Sequence, residues 1–384
     1  MRSGHPWLFA NSVREQNRPG EIGELALIFD RTDKFLGVGL FDPASPIRVR
    51  LLHVGKPVKI DLGWWKQCAL AAFEKRRNLF DENTNGYRLI NGESDGWPGL
   101  VLDHYADTLV AKIYTSAWLP RLDEIISLFA TEIPNERIVL RLSRNIQEVA
   151  QKHFQQRDGQ IIRGTPLNGS AIFREHGLRF EADVLRGQKT GFFLDQRENR
   201  KIVESLSAAR HVLNAFSFSG GFSIYAARGG AKSVTSIDIS AHALDSAQQN
   251  FALNKAIGEI ARCPQELIKA DVFAWFREAS ASKFDLIVLD PPSLAKRESE
   301  RGTALQAYAR LAAAAMQRLS KNGILVAASC SAHVSEEDFF ETIRTTGKKS
   351  GRNFSELKTT GHPKDHEANF LEANYLKCIY LQMH

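Results

Sequence analysis

The chain has 384 residues, of which 43% are hydrophobic and 24% are charged, a composition typical of soluble globular proteins. This length exceeds one ordinary folding unit, so we expect two or three domains. No run approaches the roughly 20 apolar residues that span a bilayer. The first residues also lack the apolar core of a signal peptide. These features exclude a membrane protein and favour the cytoplasm.

The net charge of +6 suggests an anionic partner, because Lys and Arg gain free energy by displacing counterions from phosphate. A mildly basic surface is also common among soluble proteins, so charge favours nucleic acid without proving it. The cysteines are scattered without the CxxC spacing of zinc sites. We therefore predict no metal site and expect each cysteine to be a free thiol: Cys68, Cys263, Cys330 and Cys378.

The first part of the chain alternates short β-rich runs with Asp, Pro and Gly turns. The runs cover residues 24–29, 35–41 and 47–52, and they predict a small β-barrel. Helical spacing over residues 62–80 predicts a linking helix. Basic residues here are expected to contact phosphates, although a solvated charged face fits equally well: Arg2, Arg14, Arg18, Arg48 and Arg50.

A second β-rich section extends to about residue 180. Its pattern predicts strands at 87–90, 100–104, 109–114 and 137–142, and a helix at 119–130. Beyond it, strands alternate with long helical stretches, which is typical of a parallel sheet in an α/β domain. The strand candidates there are 211–216, 233–238, 267–270, 284–290, 323–328 and 375–381, with helices at 241–254 and 304–319.

Ligands of such sheets bind at the carboxyl ends of the strands. The first strand leads into a glycine turn at 217–223, which lacks the full GxGxxG pattern and is a weak motif alone. Asp238 ends the next strand eighteen positions after Gly220, near the roughly 20-residue offset at which an acid accepts ribose hydroxyls. Alternatively, Asp238 caps the following helix, although Ser240 is also placed to do so. Asp271 ends the third strand, where its carboxylate could accept a hydrogen bond from the exocyclic amine of adenine or cap the next helix. The two roles are equally favoured.

The most specific segment is an apolar strand that ends in Asp290-Pro291-Pro292-Ser293. Two prolines fix φ and forbid helix, so they aim the carboxylate rigidly into the cleft. A plain turn needs neither a second proline nor an acid, and we favour a functional interpretation. Cys330 follows the next strand, which places its thiol near Asp290. A free cysteine at a strand end is more often a small buried hydrophobic residue.

Several segments together resemble the bacterial large-subunit ribosomal RNA cytosine-5 methyltransferases. They are FFLDQRENR at 192–200, LNAFSFSGGFS at 213–223, DIS at 238–240, LDPPS at 289–293, SCS at 329–331 and NYLK at 374–377. The opening GHPWLF at 4–9 is similar to the start of that family's PUA RNA-binding domain. The likeness covers nearly the whole chain in the family's order. By comparison with the family, we expect a few residues to be missing before this opening.

The resemblance implies an α/β protein with three parts: a PUA β-barrel at 1–68, a central β-rich α+β domain at 69–180, and a class I (Rossmann-like) methyltransferase domain at 181–384. The last sheet would end in an antiparallel hairpin. The cofactor would be S-adenosylmethionine, and the partner would be RNA, either 23S ribosomal RNA or a large-subunit precursor. A homodimer stays open.

The family's motifs also imply roles for single residues. Cys330 would be the nucleophile and Asp290 would bind the edge of the base. Ser293 stands where many cytosine-5 RNA methyltransferases have a second cysteine, so only one catalytic thiol is present. The residues implied to hold the cofactor are Gln188, Lys189, Asp195, Arg197, Asn214, Phe216, Phe218, Ser219, Gly220, Asp238, Ile239, Ser240, Asp271, Val272 and Asp290.

Other functions stay open. Closely similar domains methylate guanine, and in that case Cys330 would be dispensable. A non-catalytic RNA-binding ribosome assembly factor could retain the fold, although the intact glycine turn and the Asp-Pro-Pro motif argue against it. A nicotinamide-dependent oxidoreductase is disfavoured by the absence of GxGxxG.

Overall fold

The computed structural model describes residues 5–278 and 283–384. Arg2 and Gly4, which belong to the predicted opening of the first domain, lie outside the described residues. The chain divides into two compact units. The first unit comprises Met1–Gly177, Ala182–Leu194 and Lys364–Phe370, and the second comprises Leu178–Glu181, Asp195–Pro363 and Leu371–His384.

The first unit begins with a four-stranded antiparallel sheet in the order β1-β4-β3-β2. Its strands are β1 (Trp7–Phe9), β2 (Leu25–Phe29), β3 (Phe35–Phe41) and β4 (Ile47–Val54), and the last three confirm the predicted runs. Arg50 in β4 pairs with Glu93 at 2.6 Å, and both side chains are 10% exposed. The prediction that Arg50 contacts phosphate is therefore wrong, because its charge is used inside the unit.

The linking helix α1 (Leu62–Glu74) begins where Asp61 accepts a hydrogen bond from Trp64 N. The prediction that it continues to residue 80 was too long. Arg76 turns back to the Ala72 carbonyl and pairs with Asp95 at 2.7 Å, with both charged side chains buried. Helical spacing does not reveal such tertiary contacts.

A five-stranded sheet in the order β5-β6-β7-β8-β9 forms the rest of the first unit's core. Its elements are β5 (Gly86–Asn91), β6 (Leu100–Tyr105), β7 (Thr108–Ile113), α2 (Leu122–Glu132), β8 (Arg137–Leu142), α3 (Gln147–Phe154) and β9 (Gln160–Gly164), and β10 (Ala171–Glu175) follows. The late segment Lys364–Phe370 also belongs here, since Asp365 accepts a hydrogen bond from Arg88 N at 3.0 Å.

The second unit contains a seven-stranded sheet in the order β14-β13-β12-β15-β16-β18-β17. Its strands are β12 (His211–Ala215), β13 (Ser233–Asp238), β14 (Gln265–Lys269), β15 (Phe284–Leu289), β16 (Leu319–Ser329), β17 (Phe354–Thr360) and β18 (Lys377–Met383), after β11 (Leu178–Ala182). The first five in the order are parallel, and β18 runs antiparallel to both its neighbours. The predicted parallel sheet with a terminal antiparallel hairpin is confirmed.

Helices connect these strands, as expected for α/β units. They are α4 (Arg197–Leu206), α5 (Gly221–Arg228), α6 (Ala241–Leu253), α7 (Gly258–Arg262), α8 (Val272–Arg277), α9 (Arg301–Arg318) and α10 (Glu336–Lys349). The central strand β15 is an almost wholly buried apolar run, as parallel sheets covered on both faces require. The carboxyl ends of β12, β13, β15 and β16 therefore meet along one edge. Over the described residues, no helix is both long and apolar enough to cross a bilayer.

Candidate functional site

The glycine turn after β12 has an unusual backbone. Phe216, Phe218 and Gly220 have φ angles of 63°, 46° and 77°, so every second residue is left-handed. Each phenylalanine costs roughly 1–2 kcal/mol in that conformation. A Cβ on Gly220 would lie 2.9 Å from Cβ of Ala247, so this position requires glycine. Such strain is typical of functional loops.

Asp238, at the end of β13, holds this turn in place. One carboxylate oxygen accepts a hydrogen bond from Phe218 N and the other from Ser240 N, both at 2.9 Å. The hydroxyl of Ser240 accepts from Ala243 N and caps α6. Of the two roles considered for Asp238, the helix cap is thus taken by Ser240, and the acid lies against the glycine turn.

Asp271 caps α8, since its carboxylate accepts a hydrogen bond from Ala274 N at 2.8 Å. The cap was one of the two alternatives for this residue. Val272 follows as a buried residue of the helix. A contact between Asp271 and an adenine amine stays a prediction.

Several buried polar atoms around the turn have no hydrogen-bond partner in the described chain, and they are Asn214 Oδ1, Ser217 Oγ and Ser219 Oγ. Unsatisfied buried polar atoms are rare and usually mark a missing ion, water or ligand. Ile239, directly after Asp238, is an apolar side chain that is 66% exposed. S-adenosylmethionine consists of a nucleoside joined to an amino acid. Hydroxyl and amide groups near an exposed apolar side chain are suited to bind such a ligand.

The segment with Gln188, Lys189, Asp195 and Arg197 divides between the two units. Gln188 and Lys189 belong to the first unit, where the Lys189 Nζ lies 4.5 Å from the ring centre of Phe193. Asp195 and Arg197 belong to the second. There Asp195 accepts a hydrogen bond from the Tyr375 hydroxyl at 2.7 Å, and Arg197 is buried at the start of α4.

Asp290, after β15, is oriented by a chain of side-chain amides. Gln196 Nε2 donates to Asp290 Oδ1 at 2.9 Å, and Asn199 Nδ2 donates to Gln196 Oε1 at 2.6 Å. The Thr360 and Tyr380 hydroxyls both donate to Asn199 Oδ1. Burial raises the pKa of Tyr380, so its hydroxyl stays protonated and continues to donate. The chain of donors thus aims an N–H group at the Asp290 carboxylate.

Sequence reasoning did not predict this role for Gln196 and Asn199. The two amides are three residues apart around the start of α4, and such spacing places them on one helical face. That spacing was the available signal. Their partners lie 94 and 161 positions away, which no local pattern reveals.

Cys330 follows β16 and is partly buried. Its sulfur lies 3.8 Å from the carbonyl oxygen of Pro291, so the thiol lies beside the Asp-Pro-Pro segment. Because β15 and β16 are parallel neighbours, the proximity expected from sequence is confirmed. Over the described residues, none of the four cysteines forms a disulfide.

The fully buried Ser331 ties the Cys330 turn to the segment after Asp-Pro-Pro. Its hydroxyl accepts hydrogen bonds from Leu294 N at 3.0 Å and Ala295 N at 3.3 Å. It also contacts the hydroxyls of Tyr308 and Ser293, at 2.9 and 3.2 Å. Sequence analysis assigned this serine no role. These hydrogen bonds hold the Cys330 turn and the Asp-Pro-Pro segment in a fixed position relative to each other.

Comparison with known proteins decides the family. The model of a family described as S-adenosylmethionine-dependent methyltransferases matches residues 88–357, which is more than half of the chain. The chain belongs to this methyltransferase family. S-adenosylmethionine is therefore its cofactor, in agreement with the unsatisfied polar atoms at the glycine turn. A PUA-like domain matches residues 1–53 of the methyltransferase.

Two relatives match the methyltransferase over almost its whole length. The ribosomal RNA large subunit methyltransferase of Deinococcus radiodurans is 54% identical, and the match covers 100% of this chain and 94% of the relative. The ribosomal RNA large subunit methyltransferase I of Aeromonas salmonicida is 34% identical over 98% of this chain and 95% of its own.

Solved structures confirm the fold. A SAM-dependent methyltransferase from Streptococcus mutans superposes with a TM-score of 0.83 at 23% identity, covering 99% of this chain and 96% of the other. A methyltransferase complexed with SAH gives 0.85 at 24% identity with the same coverage. The tRNA m1G37 methyltransferase of M. jannaschii gives 0.52 at 16% identity, covering 94% of this chain and 92% of the other.

Proposed function

We propose that this methyltransferase modifies C5 of a cytosine in large-subunit ribosomal RNA through a covalent adduct with Cys330. The observation that carries the proposal is the position of the Cys330 sulfur, 3.8 Å from the Pro291 carbonyl at the end of the strand that bears Asp290. The printed names of both relatives, ribosomal RNA large subunit methyltransferases, support the substrate class.

The chemistry explains why a thiol is needed. C5 of cytosine is a weak nucleophile, and addition of the Cys330 thiolate at C6 raises electron density at C5. The bound cofactor supplies a methyl group activated by its sulfonium charge. Loss of the C5 proton to a base or water then restores the ring as the C6–sulfur bond breaks and Cys330 leaves as thiolate.

Asp290 is suited to hold the target base. Gln196 orients its carboxylate through a hydrogen bond of 2.9 Å, and an ionised carboxylate has about four lone-pair sites that accept hydrogen bonds. In the proposed complex it accepts a hydrogen bond from the N4 amine of cytosine and stabilises the adduct when N3 is protonated. The base must leave its stack to reach this edge of the sheet, at a cost of a few kcal/mol.

The cofactor residues implied by the family resemblance are proposed to act in the same complex. Asp238 would accept hydrogen bonds from the ribose hydroxyls while it also holds the glycine turn. The side chain of Ile239 would pack against the adenine ring. The other proposed contacts are Gln188, Lys189, Asp195, Arg197, Asn214, Phe216, Phe218, Ser219, Gly220, Ser240, Asp271, Val272 and Asp290.

We propose further that the PUA-like domain binds RNA and that the protein acts in the cytoplasm. The proposed functional division is 1–68, 69–180 and 181–384. The net charge of +6 supports an RNA substrate.

Methylation of a guanine is a second candidate. The oriented carboxylate of Asp290 can accept hydrogen bonds from any base that has N–H donors along one edge. Guanine has such an edge, formed by N1–H and the exocyclic amine. In that reaction the nitrogen itself is the nucleophile, so Cys330 would be dispensable.

The experiment that separates these candidates uses unmodified large-subunit ribosomal RNA and S-adenosylmethionine labelled in its methyl group. After incubation with the purified protein, the RNA is digested to nucleosides and analysed by mass spectrometry. We expect labelled 5-methylcytidine, with small-subunit RNA as the unlabelled control. Labelled methylguanosine would establish the second candidate, and transfer to neither base would overturn both.

A further inference from the structure

A lysine begins the apolar strand β18. Lys377 is 1% exposed and is followed by Cys378, Ile379 and Tyr380, which are fully buried. A buried ammonium is unfavourable unless other groups compensate its charge. In the antiparallel ladder Lys377 lies opposite Ser329, the residue before Cys330. This placement puts a buried positive charge beside the proposed nucleophile.

The hydrogen bonds of Lys377 go to the turn that carries this cysteine. Its Nζ donates to the carbonyl oxygens of Ser331 at 2.7 Å and Val334 at 2.6 Å. Two of the three N–H donors are thus used by neutral acceptors. Over the described residues, no carboxylate lies within ion-pair distance of this lysine. Its positive charge is therefore not neutralised by a direct partner.

We propose that Lys377 is a positioning residue that fixes the Cys330 turn and stabilises the Cys330 thiolate. The proposal rests on the assignment of Cys330 as nucleophile. When the thiol ionises, its proton passes to solvent and Lys377 keeps its own proton. The Cys330 thiolate and the Lys377 ammonium then attract each other in a low-dielectric environment. A nearby positive charge favours the thiolate because it stabilises the charged form.

Burial and several charged groups act on Lys377 and Cys330. Burial lowers the pKa of Lys377 to about 8, while the charges of Cys330 and Glu336 act in the opposite direction. Tyr308 interacts with both Cys330 and Asp290, and burial raises the pKa of Tyr308, which keeps it neutral. The negative charge of Asp290 opposes ionisation of Cys330, so the positive charge of Lys377 has to outweigh it. Lys377 is therefore mainly protonated at neutral pH and loses its charge as the pH rises through about 8.

The test is the pH dependence of Cys330 alkylation by iodoacetamide, followed by peptide mass spectrometry on the whole protein. In wild type we expect a half-maximal rate below the ordinary thiol value of about 8.5. In Lys377→Met we expect the midpoint to rise by about one unit, which is about a tenfold slower reaction at neutral pH. Lys358→Met, an exposed lysine on the adjacent strand β17, is the matched control and should follow wild type.

Circular dichroism establishes whether each variant is folded. Coincident profiles for folded Lys377→Met and wild type would overturn the proposal. If the variant does not fold, the wild-type profile decides alone, because a midpoint at or above about 8.5 would also overturn it. Methyl transfer by Cys330→Ala is measured as a separate experiment. If this variant keeps its activity, Cys330 is not the nucleophile and Lys377 has no catalytic role. The alkylation profile of wild type and Lys377→Met still shows whether Lys377 stabilises the Cys330 thiolate.

Discussion

Replacement of Cys330 by alanine is expected to lower the rate of methyl transfer to large-subunit RNA by about 10⁴-fold or more, as loss of a nucleophile does in other covalent enzymes. Without the thiolate, C5 of cytosine has no route to sufficient electron density. Single-turnover transfer of a labelled methyl group measures the effect. Cofactor affinity, measured by calorimetry, should be nearly unchanged, because the proposed cofactor residues lie mainly at other strand ends.

Cys263→Ala is the matched control for this variant. Cys263 is also a free thiol of the second unit, but it lies before β14, where no proposed site residue is found. The control should retain wild-type activity. Full activity in Cys330→Ala would contradict covalent catalysis and support methylation of a guanine nitrogen.

The substitution Asp290→Asn is expected to lower kcat by about 10²–10³-fold, the range for loss of a positioned acid–base or charged group. The amide keeps the volume of the carboxylate, and its oxygen can still accept the hydrogen bond from Gln196. Its NH2 group would then face the N4 amine of cytosine, which needs an acceptor. The measurement is kcat for methyl transfer at saturating cofactor.

Asp285→Asn serves as the control, since Asp285 lies at the opposite end of β15. There it accepts hydrogen bonds from His211 N and the Ser320 hydroxyl. A modest loss of stability with unchanged kcat is expected. If Asp290→Asn behaves like this control, Asp290 does not contact the reacting base.

The sequence predicted most of what a local pattern can encode. The apolar run of β15 indicated a central parallel strand, and Asp238 and Asp290 marked the strand ends. The proximity of Cys330 to the Asp-Pro-Pro segment followed from strand adjacency alone. These features depend on periodicity and on the geometry of parallel sheets.

Other features depend on partners distant in sequence. The amide chain through Asn199 ends on Thr360, 161 positions away, and Arg50 pairs with Glu93, 43 positions away. The sequence shows that Lys377 lies in an apolar strand. Its contacts with the Cys330 turn could not be predicted, because they depend on the register of β18 against β16. The shorter α1 has the same origin, since Arg76 makes tertiary contacts that helical spacing does not contain.

The covalent step is tested most directly with large-subunit RNA in which cytidine is replaced by 5-fluorocytidine. Fluorine at C5 cannot leave as a proton does, so the proposed adduct persists after methyl transfer. Wild-type protein with S-adenosylmethionine should form a protein–RNA complex that survives denaturing electrophoresis, with the modified peptide containing Cys330. Methyl transfer to ordinary RNA without any such complex on the fluorinated RNA would contradict the proposed mechanism.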